Sequence, residues 1–159
     1  MVIFLIILQL FIIVGTGLFL YRKHRVYKYS MSFMESLNLV DLPIITFYYK
    51  DIKLNFLVDT GSNMSIINST ALKGEVLKTN KVFTSINGIG GSSKAISLEL
   101  KIAYKDRVFE TDFYSMNMDK AFSPIKEQNG VNIHGILGND FFVKYKYIID
   151  FEGYVVKYK

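Results

Sequence analysis

Among the ionisable side chains of this sequence, Asp59 in Leu57-Val58-Asp59-Thr60-Gly61-Ser62 stands in the surroundings best suited to moving a proton. An apolar run delivers it, and a polar break follows at once. Hydrolysing a peptide bond with water needs one group to take the water's proton and another to protonate the carbonyl oxygen. Two carboxylates held within about 3 Å of each other can do both, because they cannot both ionise and so share one proton. Gly61 permits the backbone to turn beside the carboxylate, and the Thr60 hydroxyl can brace the loop. By itself an Asp-small-Gly triplet is an ordinary turn, so its context decides.

Other chemistries find less support. With no cysteine, disulfides, thiolate metal sites and cysteine nucleophiles are excluded. His24 and His134 have no paired spacing, so no metal site and no cofactor is expected. Gly88-Ile89-Gly90-Gly91 lacks the Gly-Lys-Ser/Thr ending of a phosphate loop and the third spaced glycine of a dinucleotide site, so it reads as a mobile hairpin tip. Asp140 reads as a helix-capping acid, Asp150 as a strand-end acid and His134 as a hydrogen-bonded structural histidine.

Two β-rich runs, Ile44 to Tyr49 and Ile52 to Val58, meet at Lys50-Asp51 as a hairpin that ends on Asp59. The second alternates, with Ile52, Leu54, Phe56 and Val58 on one face and Lys53, Asn55 and Leu57 on the other. Further strands are expected at Val82 to Ile86, Ala95 to Ala103 and Val108 to Tyr114, then a short helix over Gly138 to Tyr145 and a final hairpin around Phe151-Glu152-Gly153. Short strands at regular spacing indicate an all-β domain, placed at 42–159.

Before it, residues 1–21 carry no charged side chain, and at about 1.5 Å per residue a helix of that length spans one bilayer core. The expectation is an uncleaved transmembrane helix, followed at 22–41 by a basic juxtamembrane stub and tether with a helical turn near Ser32 to Leu37. Arg22, Lys23, Arg25 and Lys28 suit anionic lipid headgroups and place the domain on the cytoplasmic side of a single-pass membrane protein. They are four of the 19 basic residues and leave 15 against 14 acids, so the folded part is nearly neutral and no nucleic-acid partner is expected. The sequons at Asn63 and Asn68 overlap the Asp59 loop, where a glycan would obstruct folding.

Three segments in order resemble the retropepsin-like aspartic proteases: the Asp59 strand and turn, then Ile133-His134-Gly135-Ile136-Leu137-Gly138-Asn139-Asp140-Phe141-Phe142, then Ile148 to Val156. That resemblance implies a closed β-barrel with one short C-terminal helix. It implies Asp59 as the catalytic aspartate, with Thr60, Gly61 and Ser62 as its loop, Ile86, Asn87, Gly88, Ile89, Gly90 and Gly91 as a flap over substrate, and Gly135, Ile136, Leu137 and Gly138 as the strand beneath the loop. One Asp-Thr-Gly per chain implies a homodimer acting on a peptide or protein substrate. A non-cleaving dimerisation or peptide-binding module is the alternative. Two departures stand out: Ser62 replaces the usual alanine, and its hydroxyl is expected to donate to Asp59 and favour a more acidic optimum. His134 stands where an arginine brace is expected.

Overall fold

The computed structural model describes residues 7, 9–18, 29–72, 79–88 and 91–158. Ten strands are described, β1 (Tyr29–Ser32), β2 (Ile44–Tyr49), β3 (Ile52–Val58), β4 (Ile66–Asn68), β5 (Thr79–Gly88), β6 (Gly91–Tyr104), β7 (Arg107–Met116), β8 (Gly135–Leu137), β9 (Ile148–Asp150) and β10 (Val155–Tyr158). Three helices join them: α1 (Met34–Val40), α2 (Asp119–Asn129) and α3 (Asn139–Lys144).

The larger sheet runs β2-β3-β8-β4-β7-β6-β5, and a bridge between Tyr48 and Ala103 joins β2 back to β6. Six strands thus close into a barrel, and β5 projects with the far half of β6 as a hairpin. Alternation along β3 works as the sequence implies: Leu54, Phe56 and Val58 point into the barrel, where Phe56 stacks on Phe113 at 5.2 Å and meets Phe47 edge-on. β8 enters between β3, with which it is parallel, and β4, with which it is antiparallel. Two glycines make that crossing possible, since a Cβ on Gly135 would lie 2.3 Å from the Ile66 carbonyl oxygen, and one on Gly138 2.5 Å from that of Met64.

The helical content exceeds the single C-terminal helix expected. α2 lies in a stretch to which the sequence reading assigned no element, and Pro124 within it removes a backbone donor. The Ser123 hydroxyl donates to the Lys120 carbonyl at 3.4 Å, the group that Pro124 leaves without its helical donor. Phe122 then packs with Val40, Ile44 and Ile133 on the outer face of β3 and β8, against Leu57 and Ile136.

Residues 29–40, read in sequence as tether with a helical turn near Ser32 to Leu37, form β1 and α1, the helix overlapping that turn, and carry Met31 and Phe33 into the main core. Of the apolar stretch 1–21, the described residues 9–18 are helical and exposed, Phe11 most of all. No helix among the described residues is long and apolar enough to cross a membrane; the rest of the expected span and the basic stub at 22–28 lie outside them.

Candidate active site

Asp59 follows the last residue of β3, half-buried, and its N–H donates to the Leu137 carbonyl at 3.1 Å, so β8 fixes the start of the turn. Gly61 N–H donates to Asp59 Oδ1 at 2.9 Å and Ser62 N–H to the Asp59 carbonyl at 3.2 Å. The first bond aims the carboxylate. A side chain at Gly61 would intrude here, since its Cβ would sit 3.1 Å from the same Oδ1.

The segment after β8 straps this loop from below. Asn139 N–H donates to the Ser62 carbonyl at 2.8 Å, and Asn139 Nδ2 to the Thr60 carbonyl at 2.9 Å. The bracing role that sequence put in doubt at His134 is therefore taken by Asn139, one residue past Gly138. Asp140 differs from its expected capping role too: it accepts the Ser65 N–H at 2.9 Å and the Ser65 hydroxyl at 2.7 Å, while Gly138 N–H donates to that hydroxyl at 3.1 Å. Ser65 is fully buried, and a charge-assisted bond ties the far end of the loop to α3. Asp140 does accept the Phe141 N–H at 2.7 Å, yet no side chain caps α3 through its N-cap residue, Gly138.

The Ser62 hydroxyl does not donate to Asp59. It donates to the Met64 carbonyl at 2.7 Å, a strong acceptor two residues on that the turn brings nearer, so the expected acid-shifting bond is absent from this geometry.

At the other end of β8, His134 N–H donates to the Asn55 carbonyl at 2.8 Å and its Nδ1 accepts the Asn55 N–H at 3.0 Å. The imidazole so continues the β3–β8 ladder, and the bond requires the neutral ring with its proton on Nε2. Burial holds the His134 pKa below its ordinary value.

The hairpin read as a flap is formed by β5 and β6, with Ile86 opposite Ser93, Asn87 opposite Ser92 and Gly88 opposite Gly91; Ile89 and Gly90 at its tip lie outside the described residues. Gly135, Ile136 and Leu137 form β8 beneath the Asp59 loop. Among the described residues no group of three or more His, Cys, Asp or Glu side chains is placed to hold a metal ion. One chain thus offers a single aimed carboxylate on a rigid turn, able to accept a proton from water.

Residues 39–149 match the family of retroviral aspartyl proteases. Among solved structures, EIAV protease complexed with the inhibitor HBY-793 aligns with a TM-score of 0.49 and 23% identity, over 67% of this chain and 90% of that one. No curated protein matches the chain.

Proposed function

Because the chain belongs to the retroviral aspartyl protease family, we propose that it is an aspartic endopeptidase whose site forms when two chains bring their Asp59 carboxylates together. The observation that carries this reading is the Asp59 turn itself, a half-buried carboxylate aimed by Gly61 N–H and strapped by Asn139. A water between the paired carboxylates loses a proton to the ionised one as its oxygen bonds to the scissile carbonyl carbon. The protonated carboxyl gives its proton to the carbonyl oxygen. Collapse of the tetrahedral adduct breaks the C–N bond as the carboxyl that took the water's proton gives it to the leaving nitrogen, and the other carboxylate takes a proton from an adduct hydroxyl, which restores the starting pair. An extended peptide lying as a strand beneath the β5–β6 hairpin fits such a groove.

The apolar residues 1–21 anchor the chain in a membrane, and Arg22, Lys23, Arg25 and Lys28 hold the domain on the cytoplasmic side. Asn68 supports that side: it is buried, its Nδ2 donates to Asp119 at 2.8 Å and its Oδ1 accepts the Met118 N–H at 3.1 Å, which leaves its sequon no room for a glycan. A compartment-sensitive reporter fused after Lys159 tests the orientation, and an outward signal overturns it.

The activity is tested by incubating the full chain and its Asp59→Asn variant with a diverse peptide pool at mildly acidic to neutral pH, read by mass spectrometry. Cleavage by the unmodified chain alone supports the protease; equal cleavage by both removes Asp59 from the mechanism, and none by either favours a non-cleaving peptide-binding module.

A further inference from the structure

We propose that a cavity on the outer side of the barrel, away from the Asp59 loop, binds small monocarboxylates with an apolar body. It encloses about 470 Å³ between one face of α2 and the chain that leads into β8, and such a volume suits a small organic ligand. Asp119, Phe122, Ser123 and Lys126 recur at helical spacing along α2 and form one wall. Asn68 at the end of β4, with Asn132, Ile133 and His134 ahead of β8, forms the other. The walls are tied together: Asn68 N–H donates to the His134 carbonyl at 2.8 Å, and Asn68 Nδ2 to Asp119 Oδ1 at 2.8 Å. Bonds of the fold itself therefore hold the cavity open. It lies at the opposite end of β8 from Leu137, whose carbonyl accepts the Asp59 N–H.

The floor is apolar, with Phe122 and Ile133 7% and 4% exposed. The polar groups above it divide into two sets. The Thr70 hydroxyl donates to Asp119 at 2.8 Å and the Ser123 hydroxyl to the Lys120 carbonyl at 3.4 Å, so these donors already have acceptors. The Lys126 ammonium, the Asn132 side-chain amide and the His134 Nε2–H have no protein acceptor among the described residues. His134 carries that proton because its Nδ1 accepts the Asn55 N–H. Three donors, one of them charged, over an apolar floor suit an acceptor that bears negative charge. A carboxylate supplies two such oxygens, and the floor takes a short hydrocarbon body. The Asp119 carboxylate on the α2 wall repels a second negative group, which disfavours dicarboxylates and phosphate.

Isovalerate and hydrocinnamate, a short and a long member of the class, test the site on the full chain in detergent micelles at constant pH by proton NMR. The chain has two histidines, and His24 lies ahead of the domain, so its imidazole signals serve as the reference for those of His134. At least one of the acids is expected to shift the His134 signals saturably while those of His24 stay in place. Isovaleramide, which keeps the shape without the charge, should bind at least about tenfold more weakly, as should glutarate, which adds a second carboxylate. Lys126→Met should weaken isovalerate binding about tenfold, and Ser123→Trp, which fills the cavity from an exposed position on α2, should remove the shift. No saturable shift with either acid, equal shifts at the two histidines, an amide that binds as tightly, or binding untouched by the two substitutions overturns the site. Glutarate or inorganic phosphate binding as tightly as isovalerate overturns the choice of a single carboxylate.

Discussion

Two side chains of the Asp59 loop differ in how readily sequence reveals them. Asp59 is legible because its role is local: an apolar strand, a carboxylate and a glycine in succession already define a turn. Asn139 is not, because an asparagine at the start of a helix looks ordinary until β8 has returned beneath the loop and brought its amide to the Thr60 carbonyl. Ser62 shows the reverse error, a residue read by type whose hydroxyl finds the Met64 carbonyl instead. Ser62→Ala should therefore leave the pH optimum of cleavage in place and cost about 1 kcal/mol of stability for the lost hydrogen bond; an alkaline displacement of the pH–rate profile would restore the bond to Asp59. Gly61→Ala should lower kcat about 10²-fold by moving a carboxylate oxygen that lies 3.1 Å from the added methyl, with circular dichroism unchanged.

The strands around the loop were readable as alternating runs, and the passage of β8 beneath the loop was readable only through the family resemblance, since nothing in Gly135-Ile136-Leu137 itself says that it must lie between β3 and β4. Its glycines carry that information in the form of missing atoms. Gly135→Ala places a methyl against both the Ile66 carbonyl and the Phe56 ring, and should destabilise the fold by about 1–3 kcal/mol in chemical denaturation. A loss below half of that range would mean that β4 and Phe56 can yield. His134, at the far end of the same strand, couples the ladder to acidity. Its pKa is depressed in the folded chain, so its contribution is complete above the unfolded value near 6.5 and is lost as pH falls below it toward the folded value. His134→Gln, which can still accept the Asn55 N–H without titrating, should flatten the decline of thermal midpoint with acidification. An equally steep decline in that variant would place the sensitivity elsewhere.

For the molecule as a whole, spacing led to an all-β domain and the family resemblance to a closed barrel, while the extent of the domain was misjudged at the N-terminal side. β1 is four residues long and its partner strand is the last of the chain, so no local pattern marks it. Phe33, ahead of the boundary that sequence suggested at Leu42, is 1% exposed, and Phe33→Ala should cost about 3–5 kcal/mol by equilibrium unfolding. A cost near that of a surface substitution would return residues 29–40 to the status of tether. The pairing of Tyr29 with Tyr158 also sets an order of events during synthesis. Most of the barrel can assemble as the chain emerges, but β1 has to wait for β10, and Met31 and Phe33 stay uncovered until Tyr158 has cleared the ribosome. A nascent chain thereby holds two of its buried side chains open until the strand that covers them has been made.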